Sequence, residues 1–118
     1  VWMDGAPKEH GMQALTKTLK NLNRPMTIVF TALRDKETDK MLEMLLQVSD
    51  DVIVTEFAFY RAKKAQDLAK DYPVKVMENW EEAIETALNN NPGTVIITGS
   101  LYFSSDVLLW FKQKGVLR

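Results

Sequence analysis

Apolar positions along this chain fall into two rhythms that alternate from end to end. Short, nearly continuous apolar runs read as strands over residues 1–3, 25–31 (PMTIVFT), 51–55 (DVIVT), 73–77 and 94–98 (TVIIT). Between them apolar residues recur every three or four positions, the stripe of an amphipathic helix. Met12, Leu15, Leu19 and Leu22 form one stripe, and Met41, Leu42, Leu45, Leu46 and Val48 a broader second. Ala62, Ala65, Leu68 and Ala69 predict a short helix over 61–70, and Trp80, Ala83, Ile84, Ala87 and Leu88 a fourth. A fifth follows residue 100 and runs to about Lys114, with Gly115 as its terminator. Asp35 or Thr38 is placed to cap the second helix. Asn89-Asn90-Asn91-Pro92-Gly93 reads as a stop and turn. Strand and helix thus alternate about five times, with short connections and strands apolar on both faces. That pattern predicts an α/β fold, a Rossmann-like, mostly parallel sheet with helices on both faces and right-handed crossovers. The 73–77 strand belongs nearer an edge.

Composition narrows the class. At 118 residues the chain predicts one domain, 1–118, and 46% hydrophobic content is enough for a core. A formal net charge of −1 supplies no basic field, so neither nucleic acid nor a membrane surface is an expected partner. Without cysteine there is no disulfide framework and no thiolate zinc site. No apolar run approaches the ~20 residues that span a bilayer, and no signal-peptide pattern is present. A cytoplasmic location is the expectation. The chain opens at Val1, inside a predicted strand and without methionine, as a fragment of a longer polypeptide would.

Candidate chemistry gathers where strands end. Val95-Ile96-Ile97 meets Thr98-Gly99-Ser100, and a helix pattern begins at once. Ligands of open α/β sheets sit at such carboxyl ends, free N–H groups at the helix start favour an anion, and Ser100 adds a hydroxyl. A cap plus a glycine turn explains the same residues. Asp4, in Asp4-Gly5-Ala6, ends the first strand, as a ligand carboxylate or as a turn residue. Arg61 follows the 51–55 strand by one loop and suits a bidentate carboxylate clamp, or a solvated helix start. Asp35 and Lys36 follow the second strand in TALRDKETDK, as site residues or as a solvated charge run. His10, the single histidine, has no clustered metal-ligand partners in the sequence. GxxxxGK[ST], GxGxxG and GxSxG are all missing. Thr55, where a phosphoreceiver would place an acid, argues against that class.

Taken together, DGA…HG at 4–11, TALRDK at 31–36, Arg61-Ala62 and TGSLYF at 98–103 resemble the C-terminal domain of folylpolyglutamate synthase, often bifunctional with dihydrofolate synthase. This is a branch of the Mur-ligase-like amide ligases, and the resemblance runs the length of the chain. It implies an ATP-dependent ligase that adds L-glutamate to folate or dihydropteroate through an acyl phosphate. ATP and Mg2+ would be held mainly by an N-terminal ATPase domain missing here. By resemblance Asp4 touches the nucleotide edge, Ser100 belongs to the glutamate site, and Arg61 lies where related ligases hold the amino acid's carboxylate. No residue of this chain is assigned a catalytic or metal-binding role, and the 118 residues alone are expected to be inactive.

One segment departs from the pattern. The family reads DGAHNPHG where this chain reads DGAPKEHG. Pro7 replaces a histidine tied to the glutamate site, Lys8 an asparagine and Glu9 a proline. Proline has no N–H and no polar side chain, so Lys8 or His10 would have to take over the imidazole's part. The alternative is a degenerate paralogue acting as a ligand-sensing or interaction domain.

Overall fold

A computed structural model describes residues 2–4, 9–22, 24–90 and 93–115. Val1, residues 5–8 with Pro7 and Lys8, and Asn91-Pro92 lie outside the described residues, as do the side chains of Asp4 and His10.

Five strands and five helices alternate: β1 (Trp2–Asp4), α1 (Glu9–Leu19), β2 (Met26–Phe30), α2 (Thr38–Leu46), β3 (Asp51–Glu56), α3 (Ala65–Ala69), β4 (Lys75–Asn79), α4 (Trp80–Asn90), β5 (Thr94–Thr98) and α5 (Leu101–Gln113). The strands make one sheet in the order β1-β5-β2-β3-β4, and every pairing is parallel. The predicted fold class is therefore the observed one.

Side-chain alternation along each strand explains why both faces are covered. Ile28 and Phe30 of β2, Val52 and Val54 of β3 and Ile96 of β5 meet α1, α2 and α3 on one face. Val29, Ile53, Val95 and Ile97 point the other way, onto Ala83, Ile84 and Ala87 of α4 and Phe103, Val107 and Phe111 of α5. Parallel strands need such crossovers, because a hairpin cannot join them. β4 is the edge strand expected, and most of its residues are exposed.

Three local expectations are corrected. The helix predicted over 61–70 is confined to Ala65–Ala69, because residues 57–64 are drawn into contacts with the β2 loop. Neither Asp35 nor Thr38 caps α2. Glu37 takes the cap position without a side-chain bond, the Asp35 carboxylate goes to Arg61, and the Thr38 hydroxyl accepts from Lys63 Nζ at 2.8 Å. The fourth strand lies two residues later than predicted, and Asn79 Oδ1 accepts the Glu82 N–H at 2.9 Å to start α4 directly. Gly115, at φ +76°, terminates α5 as expected.

The turn after α3 is tied to α2 by Lys70–Asp39 at 2.7 Å and by Tyr72 donating to Glu43 Oε1 at 2.7 Å. That hydrogen bond, with burial and nearby carboxylates adding to it, pushes the Tyr72 phenol up to about 12. The protonated phenol is the form the fold favours. Its contribution is complete below the unfolded value near 10 and is lost as pH rises through about 12. An absorbance titration should show a tyrosine ionisation near pH 12, and Tyr72→Phe should delete that step.

Candidate functional site

All five strands point the same way, so their carboxyl ends form one rim. Helices following β1, β2 and β3 lie on one face, and those following β4 and β5 on the other. Connections diverge on either side of β5 and again between β3 and β4, and crevices open at such points.

At the β5 crevice the chain turns through Gly99, at φ +126°. A Cβ there would lie 1.5 Å from the Thr31 carbonyl oxygen, so only glycine lets the turn cross the end of β2 this closely. The Thr31 N–H donates to the Thr98 carbonyl at 3.2 Å and fixes the crossing. Ser100 then caps α5: its Oγ accepts the Phe103 N–H at 3.4 Å, and the residue is 4% exposed. Both readings of this hydroxyl stand, since a capping oxygen keeps its own O–H to donate.

Over β2 and β3 the two loops zip together. Leu33 and Ala62 form an antiparallel bridge, Arg34 N–H donates to the Arg61 carbonyl at 2.8 Å, and Lys63 N–H donates to the Ala32 carbonyl at 2.9 Å. These bonds carry the guanidinium groups of Arg34 and Arg61 to the same place. Arg34 Nη2 donates to the Tyr60 carbonyl at 2.6 Å, and Arg61 Nη2 to Asp35 Oδ2 at 2.7 Å. Arg34, Asp35 and Arg61 line a shallow cleft of about 380 Å³. Burial pushes the Asp35 carboxyl up, but the Arg61 hydrogen bond and the charges of Arg61 and Lys36 outweigh it and hold the group below its usual value of 3.8. The pairing's contribution is therefore present above that value and fades as pH falls through the folded one.

Arg34 also lines a second cleft, of about 390 Å³, with Phe57, Phe59 and Tyr60. A third, of about 540 Å³, opens at the β3/β4 crevice between Glu56, Phe59, Glu78 and Trp80. An aromatic ladder links the β3 loop to the start of α5. Phe57 stacks on Phe59 at 5.7 Å and Phe59 on Tyr102 at 4.6 Å, while Phe57 meets Phe103 at 5.3 Å.

Asp4 pairs in register with Thr98, two residues before Ser100. Asp4 and Ser100 thus follow neighbouring strands, whereas Arg61 stands over β2 and β3. At about 4.8 Å per strand, the ends of β1 and β3 lie about 14 Å apart along the rim. The three predicted residues share one edge of the sheet, in a row. The sequence reading missed Arg34, although it lies within TALRDK directly after β2. Its direction depends on the returning 57–63 loop, which no local pattern reveals. Among the described residues no three carboxylate or imidazole side chains gather into a group that could hold a metal ion. Nor is any described helix long and apolar enough to cross a membrane.

Residues 1–110 match the model of the dihydrofolate synthetase C-terminal domain. The chain belongs to this family. It is 36% identical to the dihydrofolate synthase/folylpolyglutamate synthase of Bacillus subtilis (strain 168), a match covering 91% of this chain and 26% of that protein. It also resembles folylpolyglutamate synthase of Mycobacterium tuberculosis, solved in complex with ADP, at 28% identity and a TM-score of 0.80 over 92% of this chain and 29% of the other. The bifunctional synthase of Yersinia pestis CO92 shares the fold, with a TM-score of 0.84 at 21% identity over 92% of this chain and 27% of its own. The chain therefore spans about a quarter of the length of the curated relative it matches. As a dihydrofolate synthetase C-terminal domain, it carries the two loops described above at the rim where Asp4, Arg34, Arg61 and Ser100 emerge.

Proposed function

We propose that the chain works as the C-terminal domain of an ATP-dependent ligase that joins L-glutamate to folate or dihydropteroate. In this reading a longer polypeptide supplies the phosphate loop and Mg2+. ATP phosphorylates a substrate carboxylate, releasing ADP. The glutamate amine then attacks the acyl phosphate carbonyl, phosphate leaves, and the ammonium proton is lost to give the amide. No group of this chain reacts. Its part is to hold glutamate so that the amine meets the carbonyl, and such positioning supplies much of the rate. A cytoplasmic location goes with this reading.

The observation that best supports it is the Arg34–Asp35–Arg61 cleft, which carries net positive charge on the same rim as the α5 cap. Glutamate brings two carboxylates. Arginine's planar fork suits one of them, and the Ser100 hydroxyl at a helix start suits another. Asp4, beside β5, is assigned to the nucleotide edge.

The deciding assay is ATP-dependent addition of glutamate to folate or dihydropteroate by the full-length protein, with the 118-residue chain in parallel. Turnover is expected from the first and none from the second. Turnover by the short chain would overturn the division of labour. Ser100→Ala in the full-length protein should raise KM for glutamate by about 5- to 150-fold, through loss of a hydrogen bond worth about 1–3 kcal/mol. Losing the cap should separately lower the stability of this domain by about 1 kcal/mol. A stability loss with unchanged KM would leave Ser100 a cap alone.

The Pro7-Lys8-Glu9 substitution supports a second reading, a degenerate paralogue that senses a ligand or binds a partner. Robust turnover by the natural full-length protein dismisses it. Turnover appearing only after histidine and asparagine are restored at 7 and 8 would establish it.

A further inference from the structure

Among the described residues, four of the six large hydrophobic side chains left exposed belong to one helix. Leu101, Tyr102, Leu108 and Leu109 of α5 are 62%, 50%, 40% and 58% exposed. Leu101 and Leu108 are seven residues apart, as are Tyr102 and Leu109. Seven residues make about two turns, so the four form one stripe about 10 Å long. The opposite face of α5 is already used, with Phe103, Val107 and Phe111 in the core. Single exposed leucines are ordinary, but two such pairs on one face of one helix mark a contact surface, even with Ser105 and Asp106 between them. α4, on the same side of the sheet, turns Glu82, Glu85 and Asn89 outward instead.

The stripe starts at the candidate site. Ser100 caps the helix, Tyr102 stacks on Phe59, and the same helix passes beside β1, the first strand. We propose that this stripe is the seat of the preceding part of the polypeptide in the full-length ligase, which covers it with an apolar face of its own. The proposal rests on the ligase reading above. It commits to that occupant because the matched region makes up only 26% of the Bacillus subtilis relative and the family is a C-terminal domain, so roughly three quarters of such a protein precedes it. A body that meets glutamate at the rim stands over Leu101 and Tyr102, and the same face of the helix carries Leu108 and Leu109 two turns further on, past the exposed Ser105 and Asp106. The contact then both closes the site and orients Ser100 through the helix it caps.

The test is cysteine labelling of the full-length protein, and it requires no turnover. Leu108→Cys and Leu109→Cys are compared with Gln66→Cys, an exposed position on α3 across the sheet. With a non-hydrolysable ATP analogue, folate and glutamate present, maleimide should modify positions 108 and 109 at least tenfold more slowly than position 66. Equal rates overturn the inference, even in a protein that ligates glutamate normally. Protection that disappears on dilution identifies a second copy as the occupant and overturns it too. Protection in a protein that adds no glutamate overturns the ligase reading and leaves the contact standing. Hydroxyl-radical footprinting of the unsubstituted protein gives the same answer if a cysteine variant fails to fold: oxidation of Tyr102, Leu108 and Leu109, scaled to each side chain's intrinsic reactivity, should fall well below that of the exposed Val76 on the edge strand β4, and equal scaled oxidation overturns the inference.

Discussion

Gly99→Ala is expected to remove a large share of the stability of this domain. Two costs add at one atom. The backbone φ of +126° lies where an L side chain is strained, costing about 1–3 kcal/mol. The new Cβ would also fall 1.5 Å from the Thr31 oxygen and 2.7 Å from its carbonyl carbon. Both are main-chain atoms of the residue that follows the central strand β2, so no side chain can swing away. Such overpacking costs typically about 1–3 kcal/mol where relief is possible, and relief here means moving β2 against β5 or breaking the Thr31–Thr98 hydrogen bond. The expected loss is about 2–6 kcal/mol, against a total of about 5–15 kcal/mol for a domain. Denaturant unfolding measures it directly. Gly115→Ala is the control. Its φ of +76° carries the backbone cost, but nothing lies within 4 Å of the new methyl, so about 1–2 kcal/mol is expected. Equal losses at the two positions would show that the close approach at Gly99 contributes nothing.

The same turn shows what a sequence can carry and what it cannot. Val95-Ile96-Ile97 followed by Thr98-Gly99-Ser100 announces strand, turn and helix start, and β5, the turn and α5 fall there. What the glycine avoids is Thr31, 68 residues earlier in the chain, and no local rule connects the two. The third helix teaches the same lesson. Ala62, Ala65, Leu68 and Ala69 keep helical spacing, yet Ala62 pairs with Leu33 and only 65–69 coil. Long-range main-chain bonds outweighed the propensity of three alanines and a leucine, which is weak in a short segment. Asp35 was legible as a cap or a site residue. Its partner is Arg61, whose approach depends on the loop bridge. Strand ends were therefore readable, and with them the rim on which Asp4, Arg61 and Ser100 lie. Which side chains converge across it was not, because convergence is set by two loops folding onto each other.

That convergence makes the paired substitution Arg34→Gln with Arg61→Gln the most consequential for function. Its cost in stability should be small. Arg61–Asp35 is a solvent-exposed pair, with side chains 37% and 55% exposed, and such pairs contribute about 0–1 kcal/mol. The main-chain bonds that zip the loops, Arg34 N–H to Arg61 O and Lys63 N–H to Ala32 O, do not involve either guanidinium. Catalysis should respond very differently. If each guanidinium donates to a glutamate carboxylate, each loss removes a hydrogen bond to a charged group, worth about 1.5–3 kcal/mol. Two such losses amount to about 3–6 kcal/mol, a rise in KM for glutamate of about 10²- to 10⁴-fold in the full-length protein, with KM for ATP unchanged. Asp35 sharpens the test. Without Arg61 its carboxylate faces the same cleft unpaired and repels an incoming anion. Asp35→Asn should therefore weaken glutamate use when made alone only slightly, yet restore part of the lost affinity when added to Arg61→Gln. Steady-state kinetics with glutamate and ATP varied in turn separate these outcomes. A KM for glutamate within threefold of the parent in the double variant would remove this cleft from the amino-acid site, and a matching rise in KM for ATP would reassign it to the nucleotide.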